Sequence, residues 1–313
     1  MFNSTIYGRI SKRQDEYQKK VIAWHKGRRD FFEKLPEPYT TNTRAHLTPE
    51  LFKECFNLDD KVYHWGWQHR AATLMNKRLR ENKLKAPGNK TSMTIIVDDY
   101  EGPLEVNPKQ ILLRTSMRKS QRNRGEYIFP PTTAPRQPHP TCPGGMRPVV
   151  GFCGALYPRQ PWRKPLIDQL TADPRIVTNF VLRKGFWNQG AGGTIGDKSL
   201  VVDFKENMKN SQFTVCCRGS GNFSFRFYET LAAGRIPALL DDDTCLPFEE
   251  YIDYSKIIVI GKTPQQVADG IWKVWRSGDV EAMQTRCAQV SKEFLQQPNY
   301  SKKLLVQLKK DGY

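Results

Sequence analysis

From about residue 149 onward, short apolar runs alternate with amphipathic stretches, a pattern that predicts strands and helices in turn. Runs of apolar and β-branched residues over 149–155, 176–182, 213–217, 236–240 and 257–260 read as strands buried on both faces. Between and after them, apolar positions recurring every three or four residues predict helices over 162–170, 198–209, 224–233, 264–276 and from 279 to about 297. Strict alternation of this kind builds a parallel sheet with crossover helices. The first part of the chain is less regular. A charged helical pattern with Tyr17, Val21, Trp24, Phe31 and Phe32 on its apolar face is stopped by Pro36 and Pro38. Thr48-Pro49-Glu50 starts a second helix, residues 65–80 read as a third, and 94–99 and 110–115 read as strands. Pro130, Pro131, Pro135, Pro138, Pro140 and Pro143, with Pro148 just beyond, mark a semi-rigid linker between the two parts.

The stretch SQFTVCCRGSGNFSFRFYETLAAGRIPALLDDDTCLPF, residues 211–248, is the most informative. It reads as a strand, a basic loop with Gly219 and Gly221, a helix capped by Ser224 and ended by Gly234, and a second strand. The start of such a helix offers unpaired N–H groups and a partial positive charge, which suits phosphate. Arg218 and Arg226 add two permanent cations, and Glu229 shares a helix face with Arg226, where its carboxylate can accept from vicinal hydroxyls. Paired phosphates next to a ribose supply both features, so the stretch predicts a site for a nucleotide diphosphate.

The run RGSGNFSFRFYETLAAGRIPALLDDDTCLPFEEYIDYS resembles the donor-site signature of exostosin-like glycosyltransferases, family 47 of the glycosyltransferases. It departs from that pattern at Thr230, usually Ala, and at Arg235, often Cys. The resemblance implies an α/β, GT-B-like fold, with two Rossmann-like domains facing a central cleft. It implies a nucleotide diphosphate sugar as donor, commonly a UDP-sugar, a glycan acceptor, and inversion at the anomeric carbon. In that frame residues 1–145 form an acceptor-side domain, 146–297 the nucleotide-sugar domain, and the tail 298–313 crosses back to the first. Arg163, Arg218, Gly219, Ser224, Arg226 and Glu229 are the expected donor-binding residues, with Arg226 also stabilising the leaving diphosphate. Asp98 and Asp99, at the end of a predicted strand, are the candidate general base, with Glu101 and Glu126 as other carboxylates of that half.

Composition adds one constraint. The 313 residues carry a formal net charge of +17, which predicts attraction to polyanions and keeps open a nucleic-acid- or polyanion-binding protein, or an inactive transferase-fold scaffold. Against nucleic acid as partner, no zinc spacing, helix-turn-helix pattern or RNA-binding aromatic motif occurs. The densest basic run, 114–124, reads either as a solvated loop or as a surface for an acceptor. Seven cysteines without paired spacing point to core thiols rather than a disulfide framework. No apolar window is long enough for a transmembrane helix, and the first residues lack a signal-peptide core. A cytoplasmic protein is therefore expected if the chain is full length, and a lumenal Golgi protein if it is a truncated one. Asn3, Asn89, Asn222 and Asn299 begin Asn-x-Ser/Thr sequons, and a glycan at Asn222 would block the loop.

No metal or other cofactor is expected, because arginines and a helix start can do the electrostatic work. Asp241-Asp242-Asp243 resembles the acidic motif with which other sugar transferases hold a divalent ion, and can bind one weakly at most. His64 and His69 are off the spacing that puts two ligands on one helix face, and the tryptophans between them suit core packing or sugar stacking. The P-loop-like run 192–199 has Asp197 between its glycine and Lys198, and no strand leads into it.

Overall fold

The computed structural model describes residues 101–104, 106, 109–130, 137–156, 161–185 and 197–313, together with the backbone of 58–66 and 91–97 and the side chain of Met93. The helices expected within 1–35, after Thr48 and beyond Gly66 lie outside the described residues, as do Asp98, Asp99 and residues 192–196.

The chain adopts the expected α/β class, as two parallel sheets. The smaller sheet has β1 (Leu58–Gly66), β2 (Thr91–Val97), β3 (Gln110–Arg114) and β4 (Glu126–Ile128) in sequence order, all parallel. Trp65 and Gly66, expected to open a helix, instead end β1, where they pair with Ile96 and Val97. Backbone pairing along a neighbouring strand has overridden the local pattern.

The larger sheet contains β5 (Val149–Ala155), β6 (Val177–Arg183), β7 (Phe213–Cys216), β8 (Ile236–Leu240) and β9 (Val259–Gly261). Its spatial order is β6-β5-β7-β8-β9, again parallel throughout. The connecting helices are α1 (Arg163–Ala172), α2 (Lys198–Lys209), α3 (Phe225–Ala232), α4 (Pro264–Ser277) and α5 (Val280–Val290). Phe152, Phe213, Val215, Leu231, Ile236, Ala238 and Ile271 form the centre of the core beneath them. At the end of α3, Gly234 has a φ of 66°, its N–H donates to Leu231 O and the Arg235 N–H donates to Thr230 O. This is the left-handed glycine cap the sequence predicts.

A final helix, α6 (Asn299–Lys310), packs on the smaller sheet. Tyr300, Leu304, Leu305 and Leu308 meet Met93, Ile111, Leu113, Tyr127 and Phe129 in one buried cluster. Polar bonds fix the register of this contact: Tyr300 Oη donates to Ile128 O at 2.9 Å, and Tyr127 Oη to Asp311 Oδ2 at 2.6 Å. Tyr300→Phe should cost about 1–2 kcal/mol, because it leaves a buried carbonyl without its donor. Urea unfolding measures this, and an unchanged midpoint would show that the carbonyl finds another partner.

The proline-rich segment 137–145 is tied to the larger half by its own backbone. The His139 N–H donates to Ala233 O, Cys142 exchanges bonds in both directions with the Gln284 amide, and Pro143 O accepts from Gln212. Arg235, 1% exposed, closes this arrangement. Its Nε donates to Met208 O, Nη1 to Gly234 O and Gln284 Oε1, and Nη2 to Pro140 O and Lys209 O. All five guanidinium N–H groups can thus be matched, two of the acceptors being carbonyls in the last turn of α2. Burial holds this guanidinium below its usual pKa.

Candidate functional site

The chain enters the larger sheet at β5, adds β6 on one side, and then crosses over to add β7 on the other. The order reverses between β5 and β7, and ligands of open α/β sheets bind in the crevice outside the carboxyl ends of strands at such a point. Three arginines gather there. Arg163, at the first position of α1, donates to Ala155 O at 3.1 Å, at the end of β5. Arg226, in the first turn of α3, donates to Cys153 O and lies across the Phe152 ring, 4.6 Å from its centroid. Gly154 makes room for it, since a Cβ there would stand 3.1 Å from Arg226 Nη2. Arg218, just past β7, is backed by Trp162, whose ring lies 5.0 Å from the guanidinium carbon and whose indole N–H donates to Arg218 O at 2.9 Å.

The Nε–H groups of all three arginines are buried without a hydrogen-bond partner among the described residues. Unmatched donors cost roughly 1–3 kcal/mol each when buried, and three of them lie together at the switch point. Burial holds the Arg226 guanidinium below its usual pKa; the Arg163 cation adds to the lowering, and the Glu229 carboxylate pushes the other way. Glu229 therefore stands within electrostatic range of Arg226, one turn along α3, half-buried. Cys216 and Cys217 are buried thiols in the strand below, and burial pushes Cys216 up to about 12.

One expectation about the loop is corrected. Ser224 takes the extended backbone of a helix cap, but its hydroxyl makes no capping bond; its carbonyl accepts the Phe227 N–H instead. Positive φ among described glycines occurs at 125, 234, 278 and 312, and not in this loop. A Cβ on Gly219 would meet nothing within 4 Å, so the local packing leaves open space there.

The two halves meet at this loop. Arg218 is 10% exposed and ion-paired to Glu101 Oε2 at 2.6 Å and to Asp242 Oδ2 at 2.5 Å. Arg118 contacts the same two carboxylates, at 2.7 Å and 3.6 Å. Around this network the Asn222 N–H donates to Ser116 Oγ at 2.8 Å, the Lys119 N–H to Asp243 O at 2.9 Å, and Lys119 Nζ approaches Glu249 at 3.0 Å. The three aspartates are divided among separate tasks. Asp241 accepts the Thr244 N–H, Asp242 holds arginines, and Asp243 binds the Ser120 hydroxyl and N–H. Asn222, 1% exposed, donates its side-chain amide to Asp242 O and Asp243 O.

The basic run 114–124 is buried at 114–117 and exposed from 119 to 124, and its cations are held by partners. Arg114 forms a buried pair with Glu126 at 2.5 Å, which gives Glu126 a structural task, and Arg122 and Arg124 donate to Glu126 O and Asp311 O. With Arg118 and Lys119 engaged as above, every arginine of the run stitches the fold together. The contacts made by Glu101, Ser116 and Trp162 at the loop carry no local signal in the sequence.

Residues 130–268 match the family model of the exostosin GT47 domain. The similarity covers less than half of the 313 residues. The matched span begins at the proline-rich segment and covers the larger sheet, the three switch-point arginines and the first turn of α4. Among curated relatives, a 59-residue stretch is 44% identical to Exostosin-1a of Danio rerio, covering 19% of this chain and 8% of that protein. A 58-residue stretch is 38% identical to the Exostosin-1 homolog of Caenorhabditis elegans, covering 18% of this chain and 15% of that one. The aligned stretches therefore span a small part of these relatives. Among solved structures, TarM superposes with a TM-score of 0.43 at 9% identity, over 84% of this chain and 57% of TarM. The pneumococcal O-GlcNAc transferase GtfA, solved with UDP and GlcNAc, superposes with a TM-score of 0.37 at 12% identity, over 89% and 49% of the two chains. No described helix of the chain is long and apolar enough to cross a membrane.

Proposed function

We propose that the chain is an inverting glycosyltransferase that moves a sugar from a nucleotide diphosphate sugar, a UDP-sugar, to a hydroxyl of a glycan acceptor. The observation that carries this reading is the convergence of Arg163, Arg218 and Arg226 at the β5/β7 switch point with buried, unmatched N–H donors, inside the span that matches the exostosin model.

As the bond between sugar and phosphate breaks, negative charge grows on the leaving diphosphate. The three guanidinium groups and the N–H groups at the start of α3 stabilise that charge, and none of them has to be assembled at the moment of reaction. Gly219 leaves the loop backbone open to the phosphates, and Ser224 lies at the helix start beside them. Glu229 accepts from the ribose hydroxyls. Asp98 and Asp99 directly follow β2 on the acceptor side, and one of them takes the proton from the attacking hydroxyl as it approaches the opposite face of the anomeric carbon. No metal or other cofactor enters this scheme, since the arginines supply the cationic charge.

Thermal unfolding against a panel of nucleotide sugars tests the reading, because a ligand that binds only the folded state raises the apparent midpoint by mass action. A UDP-sugar should raise it, and a panel with no stabilising member would overturn the proposal. Within that framework Glu229→Ala should raise the donor dissociation constant by about tenfold, the worth of one charge-assisted hydrogen bond. Calorimetric titration decides it, and unchanged affinity removes Glu229 from the site.

A further inference from the structure

One feature of the arginine cluster works against ligand binding: one of its members is already occupied. Arg218 holds Glu101 from the smaller half at 2.6 Å and Asp242 from the turn after β8 at 2.5 Å. Two carboxylates on one guanidinium supply the two negative charges that a diphosphate would bring. Each also has a second cation within reach, because Arg118 lies 2.7 Å from Glu101 and 3.6 Å from Asp242. The two arginines and two acids therefore sum to zero charge while the crevice is empty. If Arg218 turns to an incoming phosphate, neither acid is stranded, since Arg118 keeps both.

The two acids differ in how readily they let go. Asp242 is 51% exposed and Glu101 22%. Release of the more exposed partner costs little, because water replaces its bond. Asp242 also sits on the same turn as Asp243, which holds Ser120 of the smaller half, so the ion exchange is coupled to the contact between halves.

We propose that Glu101 and Asp242 form a built-in competitor for the diphosphate of the donor, so that binding proceeds by exchange of Arg218 from these carboxylates to phosphate while Arg118 retains them. This rests on the donor-site reading given above. The consequence is that Arg218 is screened from stray anions and offers its charge only to a ligand whose two phosphates displace Asp242.

The test is calorimetric titration of UDP and of inorganic pyrophosphate into the wild-type chain, Asp242→Asn, Glu101→Gln, Arg218→Met and the Arg218→Met/Asp242→Asn double variant, at one ionic strength. Thermal unfolding confirms that each variant is folded. Asp242→Asn should bind both probes about fivefold more tightly, a gain of the size expected for removing one partly exposed ion pair. The gain should vanish when Arg218 is also replaced, which a merely structural role for Asp242 would not produce. Equal or weaker binding by both Asp242→Asn and Glu101→Gln overturns the inference while leaving the donor site standing, as does a gain that persists without Arg218. Absence of binding by the wild type and every variant overturns the donor-site reading, and the inference with it.

Discussion

Arg226→Ala should lower the turnover of sugar transfer by on the order of 10²–10³, while the donor dissociation constant rises by no more than about tenfold. The asymmetry follows from where the guanidinium sits. Burial already penalises its charged form, and it is held at the end of β5 by Cys153 O and the Phe152 ring rather than by a carboxylate bond that would spend its charge. A cation fixed in poorly solvated surroundings gains most when charge develops beside it, which happens in the transition state more than in the bound donor. Steady-state kinetics with a donor found by thermal screening, alongside calorimetry, separate the two effects. Arg226→Lys retains a cation and much of the packing, so it should fall between. If Arg226→Ala keeps turnover within a few-fold, its role is to pack β5 against α3, and the leaving group must be stabilised elsewhere.

Arg235→Ala should be the most destabilising single change in the larger half, at about 3–5 kcal/mol, without touching the crevice. Removing the side chain leaves a cavity in the core and strips donors from Met208 O, Lys209 O, Pro140 O and Gln284 Oε1 at once. Two of those carbonyls end α2, so the helix also loses the cation that balanced its negative end. The midpoint of thermal unfolding should drop by on the order of 10 °C. Arg235→Met fills much of the same volume without the donors, and its distance from the alanine variant separates cavity from unmet hydrogen bonds. A loss below about 1 kcal/mol in both would mean that water takes over the carbonyls.

The larger sheet is legible from sequence because its strands are short apolar runs cut off by turn residues, and its helices carry one apolar stripe. β5, α2 and β8 have the boundaries their patterns predict. What is harder to read shares a cause, which is charge lying on top of structure. β4 is three residues just after the most basic run of the chain, and its acid is neutralised by an arginine twelve residues earlier. Residues 298–313 read as a basic tail because of Lys302, Lys303, Lys309 and Lys310, although Tyr300, Leu304 and Leu308 already have helical spacing. Arg235 registers in the sequence only as a departure from a family pattern, since its five acceptors come from four separate segments. In the site, Arg218 and Arg226 are found from a local motif, whereas the carboxylates that hold Arg218 come from 117 residues away on one side and 24 on the other. Pairings of that range follow from topology, which no window of sequence encodes.

Asn222 carries a consequence for how this chain can be made. Its amide nitrogen is sealed beneath the turn after β8, donating to two main-chain oxygens there, and the sequon it starts ends at Ser224 on the helix. An oligosaccharide attached to that nitrogen and the native turn cannot coexist. In a cell that passes the nascent polypeptide through a compartment where sequons are modified, folding of this turn and sugar attachment would be rival fates, and the molecules that catalyse would be those in which the turn closed first.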